Sequence, residues 1–171
     1  MNIVIETERL ILRPLQLDDA AAVFKWGGDP KVNQYMIYPL YNNVEEVRKW
    51  LQMLNPNDPD NYDLGFVLKE TKELIGTGGL VYNQKKNAWI VGYNLRADQW
   101  GNGYTVEAIT AIIDEISKTR MIRAIEGEVA TENLNSIRIV EKLGMQFVAK
   151  SEYTKLDGSA YFEANRYRKE L

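Results

Sequence analysis

Over residues 3–15 apolar positions alternate with polar ones: Ile3, Ile5, Leu10 and Leu12 interleave with Glu6, Glu8, Arg9 and Arg13. A period of two predicts one or two strand segments, kinked near Thr7 and stopped by Pro14. Asp18 and Asp19 then precede Ala20, Ala21, Val23, Phe24 and Trp26, with Gly27-Gly28 behind them. This predicts a short helix with acids in its first turn and a glycine stop. Residues 32–41 carry three tyrosines and Met36 without a clean period, and read as a loop or a poor helix. Asn43 with Glu46 has the capping-box spacing and opens a helix through Val44, Val47, Trp50, Leu51 and Leu54. The breaker-rich run Asn55-Pro56-Asn57-Asp58-Pro59-Asp60-Asn61 ends it.

The middle of the chain changes period. Residues 62–69, 74–82 and 88–95 are strand-length runs separated by polar turns, which predicts hairpins in an antiparallel meander. Gly76, Gly78 and Gly79 in the second run point to a bulge or a close backbone approach. Helical spacing returns at Val106, Ile109, Ile112, Ile113 and Ile116, and a strand follows at 122–129. Strand, helix and strand in succession place 122–129 parallel and close to 88–95. Residues 133–144 form the next helix, with Gly144 as its stop, and 145–156 and 159–168 form a hairpin across Asp157-Gly158. The pattern predicts an α+β fold: a mixed, mostly antiparallel sheet of about seven strands with about four helices. With 171 residues, no repeat and no linker, one domain over 1–171 is expected.

Composition narrows the function chiefly by what it removes. Apolar residues are 45% and charged residues 26% of the chain, ordinary for a soluble domain. No run approaches the roughly 18 apolar residues of a spanning helix, and Met1-Asn2-Ile3 enters the first strand pattern without a basic run, so the expectation is a cytoplasmic protein with no membrane association. A net charge of −3 with scattered Lys and Arg argues against a nucleic-acid partner. The chain contains no Cys and no His. It therefore has no thiol nucleophile, no Ser-His pair and no imidazole base, and it offers a metal only carboxylates; no metal site is expected.

Between the strand at 88–95 and the next helix lies Trp100-Gly101-Asn102-Gly103-Tyr104-Thr105-Val106-Glu107-Ala108. A strand, a two-glycine loop and a helix start aim backbone N–H groups at one point, the way proteins hold phosphate. On these residues alone the loop is either a tight connection or an anion cradle. A dinucleotide-binding reading, with Glu126 or Glu128 as the ribose partner, fails because Val106 holds the third glycine position and the preceding strands form a meander.

Asn133-Leu134-Asn135-Ser136, followed by Glu141-Lys142-Leu143-Gly144-Met145, resembles the Asn-x-x-Ser…Glu-Lys-Leu-Gly-Phe signature of the GNAT superfamily of N-acetyltransferases. The loop at 100–108, Gly92-Tyr93 before it, the opening Glu6-Thr7-Glu8-Arg9-Leu10-Ile11-Leu12-Arg13 and Asp29-Pro30 are similar to the branch typified by RimJ and RimL, which acetylates N-terminal amines of ribosomal proteins. The resemblance runs in order from residue 6 to residue 167. It implies a three-layer fold with a V-shaped splay between 88–95 and 122–129. It also implies acetyl-CoA as acetyl donor and an amine acceptor, a peptide N-terminus or small amine, that attacks the thioester directly in a monomer or homodimer. The implied donor contacts are Trp100, Gly101, Asn102, Gly103, Tyr104 and Thr105 at the pyrophosphate, and Leu95, Ala97, Asn133 and Ser136 along the pantetheine arm.

The match departs at several positions. Trp100 opens the phosphate motif in place of Arg or Gln, Asn102 replaces the cation common between the glycines, and Thr105 closes it in place of a smaller residue. Val140 occupies the position of the superfamily's proton-donating Tyr, so the branch's Ser, here Ser136, is the implied hydroxyl for the leaving thiolate. A Ser at a helix start also reads as a cap, and Asn133 has the same double reading. Glu163, in the acid-x-x-x-Tyr pattern with Tyr167, is the candidate base; its other reading is a solvent-facing strand residue. Glu107 at a helix start reads as a dipole partner. Trp26, Tyr35, Met36, Tyr38 and Tyr41 are the aromatic and apolar stock from which an acceptor wall could come, most of them expected in the core. The lost Tyr and altered cradle leave open a second reading, a catalytically silent acyl-CoA-binding module.

Overall fold

The computed structural model describes residues 3–171; Met1 and Asn2, on which the reading of the N-terminal start rests, lie outside the described residues. The broken alternation at the start becomes two strands, β1 (Ile5–Glu6) and β2 (Leu10–Arg13). Thr7 makes the break, its N–H donating to the Leu10 carbonyl and its hydroxyl oxygen accepting from the Leu10 N–H. Among the described residues the sheet therefore has eight strands where the pattern suggests about seven.

Three helices follow: α1 (Ala20–Gly27), α2 (Pro30–Asn33) and α3 (Val44–Gln52). α2 is a single turn, started where the Asp29 carboxylate accepts from Lys31 N–H and proline takes the first helical position. It raises the helix count to five. Asn43 caps α3 by accepting from Glu46 N–H at 2.9 Å, but the Glu46 carboxylate bonds the N–H of Asn42, one residue further upstream than a capping box predicts.

The meander is β3 (Asn61–Leu68), β4 (Leu74–Asn83) and β5 (Ala88–Leu95). Its glycines have the expected uses: the β3–β4 register shifts at Phe66/Val67 opposite Gly76, and a Cβ on Gly79 would overlap the Tyr62 carbonyl. α4 (Tyr104–Ser117) crosses to β6 (Ala124–Ala130), and α5 (Leu134–Lys142) leads to β7 (Gln146–Thr154) and β8 (Tyr161–Glu170). The strand order is β1-β2-β3-β4-β5-β6-β8-β7, with the last strand inserted between β6 and its hairpin partner. Among the described residues only β5 and β6 run parallel, which gives the mixed, mostly antiparallel α+β sheet.

Helices cover both faces. On one, Ile109, Ile112 and Ile116 of α4 pack on Leu10, Phe66, Ile75, Leu80, Trp89 and Ile125. On the other, α1 and α3 place Val23, Trp26, Val47 and Leu51 against Val67 and Leu74. Among the described residues no helix is long and apolar enough to cross a membrane.

The feature that matters for function is between β5 and β6. Although these strands have eight and seven residues, they share only the pairs Trp89↔Ile125 and Ile90↔Glu126. Their closed end is tied by Glu126, buried between Lys86 Nζ at 3.3 Å and Arg168 Nη1 at 3.4 Å. Beyond Ile90 the strands part.

Candidate active site

A cleft of about 490 Å³ opens where β5 and β6 diverge. Its rim combines Tyr93 and Leu95 of β5, the loop at Trp100, Gly101 and Gly103, the first turn of α4, the first turns of α5, and Tyr35 and Met36 from the stretch after α2.

The loop is shaped by its glycines. Gly101 and Gly103 lie at φ +80 and +79, left-handed backbone that strains any residue with a Cβ. Gly103 is the N-cap of α4 and has no side chain with which to cap it. The first N–H groups of this 14-residue helix thus face the cleft without an internal partner, at the end carrying roughly half a positive charge. Trp100, Gly101, Gly103, Tyr104 and Thr105 line the cleft. Asn102 turns outward: its amide donates to Gln99 O at 3.1 Å and its carbonyl accepts from Arg9 Nη1 at 2.8 Å. The cations the loop lacks come from elsewhere, with Lys31, Arg138 and Lys142 all on the cleft wall. Arg138 and Lys142 lie one turn apart on α5, so one face of that helix carries both.

Along β5 the backbone alternates. Arg96 N–H bonds Ile75 O on the β4 side, so the backbone groups of Leu95 and Tyr93 point into the splay. The Leu95 carbonyl already accepts from Trp100 Nε1 at 2.8 Å, which closes that end of the strand. Ala97, expected on the same strand, instead begins a 3-10 turn (Ala97–Gln99) and is outside the cleft lining. Arg96, paired with Glu73 at 2.8 Å and Asp98 at 2.6 Å, turns the chain there.

Asn133 and Ser136 both face the cleft at the start of α5, and Asn133 is the N-cap, its Oδ1 accepting from Ser136 N–H at 3.3 Å. Val140 is buried in the core and supplies no hydroxyl. The structure brings a different one: Tyr93 reaches across from β5 and donates to the Ser136 carbonyl at 3.4 Å. Burial pushes its pKa up to about 12, against the opposing effect of its contact with Ser136, so the phenol stays protonated at neutral pH and keeps its hydrogen to donate. In the sequence Gly92-Tyr93 carries only a family pattern, and the role of this hydroxyl has no local signal because the pairing spans 43 residues.

The opposite wall comes from 33–38. Tyr35 and Met36 line the cleft, Trp26 is core, Tyr41 packs on Trp50, and Tyr38 is exposed. This segment has little regular structure of its own and is held by Tyr153 of β7 and by Lys155 just past that strand's end. Buried Lys155 donates to Asn33 O at 2.8 Å, Asn33 Oδ1 at 2.9 Å and Met36 O at 2.7 Å. Tyr153 Oη donates to Tyr35 O at 2.5 Å. Burial lowers the Lys155 pKa, partly offset by Asp157. The Tyr35 hydroxyl reaches Glu132 O at 3.5 Å, so the side chain spans the mouth between the two walls. Glu163 is elsewhere. Strand alternation turns Phe162 toward Tyr35 and Glu163 to the other face, where it is exposed opposite Glu152 and outside the cleft lining. The carboxylate on the cleft rim is Glu132.

Comparison with known proteins agrees with this architecture. Residues 9–146 match the family model described as an acetyltransferase (GNAT) domain. The uncharacterized N-acetyltransferase p20 of Bacillus licheniformis is 34% identical over 143 residues, covering 82% of this chain and 80% of that protein. A GNAT-family acetyltransferase from Bacillus anthracis superposes with a TM-score of 0.83 at 20% identity, covering 98% of both chains. RimL, a ribosomal alpha-N-protein acetyltransferase solved with coenzyme A, gives a TM-score of 0.80 at 20% identity, covering 99% of this chain and 98% of that one.

Proposed function

The chain belongs to the GNAT acetyltransferase family and is with it an acetyl-CoA-dependent acetyltransferase; from that premise we propose that its cleft moves the acetyl group to a primary amine, a peptide N-terminus or a small amine, within a ternary complex. The observation that carries this reading is the uncapped N-terminus of α4 behind two left-handed glycines, opening directly into the β5–β6 splay. Acetyl-CoA supplies an activated acyl carbon that an amine nitrogen can attack without a covalent enzyme intermediate, consistent with a chain lacking Cys.

In this reading the N–H groups of the first turn of α4 and the glycine loop bind the pyrophosphate, and Lys31, Arg138 and Lys142 add charge to the wall. The backbone edge at Tyr93, with the Leu95 N–H beside it, takes the place of a neighbouring strand for the pantetheine amides. Ser136 and Tyr93 are the hydroxyls placed to donate hydrogen bonds to the departing sulfur; with a pKa near 12, Tyr93 stabilises negative charge better than it releases a proton. The acceptor enters on the Tyr35 and Met36 side. Its ammonium proton passes to the Glu132 carboxylate or to water, since Glu163 faces away from the cleft.

Calorimetry with CoA, followed by thiol-release assays over a panel of peptides and small amines, tests the proposal. Binding with thiol release for at least one amine is expected. Binding without release for any acceptor favours the silent module, and no binding removes the assignment. Ser136→Ala is expected to lower kcat by about ten-fold and to weaken CoA binding by less; full turnover in that variant takes Ser136 out of the chemistry.

A further inference from the structure

We infer that Arg9 and Glu107 are positioning residues for the phosphate loop, a staple that fixes the loop's shape from outside the cleft. The inference rests on the reading of the loop as the CoA pyrophosphate site. Glu107, in the first turn of α4, accepts from Thr7 Oγ1 at 2.7 Å and Arg9 N–H at 2.8 Å through one oxygen, and from Arg9 Nε at 2.7 Å through the other. Arg9 Nη1 goes on to Asn102 O at 2.8 Å, and the guanidinium lies 4.4 Å from the Tyr104 ring centroid. One side chain thus joins the β1–β2 turn, the loop and the helix start.

The peptide it grips is the one that needs gripping. Asn102 lies between Gly101 and Gly103, the two left-handed positions, where the chain has the least torsional restraint of its own. Fixing the Asn102 carbonyl outward fixes the following N–H groups inward. Partial burial pushes the Glu107 carboxylate up, but the bonds from Thr7 and Arg9 together outweigh it and hold the group below the usual range. The pair is ionised and neutral as a unit, so its contribution to a phosphate is geometric. Only the guanidinium fork reaches Glu107 and Asn102 at once; a lysine carries the same charge without that geometry.

Calorimetric titration of CoA into the full chain, with thermal denaturation of the unliganded protein alongside, separates shape from charge. Arg9→Ala and Arg9→Lys are each expected to raise the CoA Kd by about ten-fold, and Glu107→Gln by less. Arg13→Ala is the control. It breaks the two-bond Arg13–Asp19 pair (2.8 and 2.9 Å) away from the loop, and is expected to lower the melting temperature while leaving the Kd unchanged. Wild-type affinity in Arg9→Lys means that charge suffices and overturns the staple, as does wild-type affinity in Arg9→Ala and Glu107→Gln together. Should Arg9→Ala fail to fold, the Lys and Gln variants decide. Binding by the unmodified chain with unaffected variants refutes this inference alone; no binding by the unmodified chain refutes the proposed function as well.

Discussion

The cleft wall proposed to bind the donor is shaped by backbone, with Gly101 and Gly103 at φ near +80 and the uncapped N–H groups of α4 behind them, whereas the wall at 33–38 has little regular backbone and is held by side chains from the end of β7 and the residue after it. Lys155 and Tyr153 reach that wall across sequence separations of 122 and 118 residues. A backbone-built site recognises a group that does not vary, such as a pyrophosphate, and fails when the dihedral angles change. A side-chain-built wall can be replaced piece by piece without disturbing the fold, which suits a surface that selects among acceptors.

The largest effect is expected from attacking the backbone itself. Gly103→Val puts a β-branched residue at φ +79, at a cost of about 1–2 kcal/mol in strain or more. A Cβ there would stand 3.6 Å from Arg9 Nη2 without meeting backbone, so the damage is torsional and falls on the loop and its staple. CoA affinity should drop on the order of a hundred-fold, measured by calorimetry, while acceptor selectivity at saturating acetyl-CoA is preserved. An unchanged Kd would mean that the loop does not bind the donor.

Lys155→Met tests the other wall. Removing the ammonium leaves three oxygens, Asn33 O, Asn33 Oδ1 and Met36 O, without their buried donor. Stability should fall by about 2 kcal/mol. With Tyr35 and Met36 released, the acceptor KM should rise about ten-fold while the CoA Kd stays within about two-fold. Equal losses of CoA and acceptor binding would show that the two walls are one cooperative unit and erase the contrast between them.

The same contrast explains what could be read from the chain beforehand. The meander, both cleft helices and the parallel β5–β6 pair follow from periods of two and 3.6, from the glycine stop at Gly144, and from the crossover through α4, whereas the splay beyond Ile90 was carried by the family resemblance alone. The shape of the loop at 100–108 was legible because left-handed positions demand glycine, here at Gly101 and Gly103. Glu163 could not be oriented, since its side depends on whether Phe162 or Glu163 faces Tyr35, and both assignments satisfy the alternation. The Lys155 clamp, the Tyr93–Ser136 contact and the cations Lys31, Arg138 and Lys142 left no local signature that linked them to one place.

Tyr93 belongs to neither wall alone, and Tyr93→Phe sharpens where the donor side ends. Its phenol, pushed up to about 12, carries no charge change through the neutral range. The variant should lower kcat about five-fold with the same shape of pH–rate profile and the same CoA Kd. A change in Kd instead would make Tyr93 a binding contact for the donor.

The smallest effect separates the staple from the rest of the donor wall by pH. Glu107 titrates below the ordinary carboxylate range in the folded chain, because its hydrogen bonds from Thr7 and Arg9 outweigh its partial burial. A carboxyl with a lowered folded pKa contributes stability that is present above its unfolded pKa and lost as pH falls through the folded value. In a comparison of wild type with Glu107→Gln, the difference in melting temperature should be constant from pH 7 down to the ordinary carboxylate range. Below it, the difference should shrink as the wild-type group takes up its proton and comes to resemble the amide. Because the Arg9 side chain is 41% exposed, half-molar salt should also narrow the difference. A gap that neither acid nor salt reduces would assign the role of Glu107 to packing of the first turn of α4, leaving Arg9 and Asn102 to hold the loop.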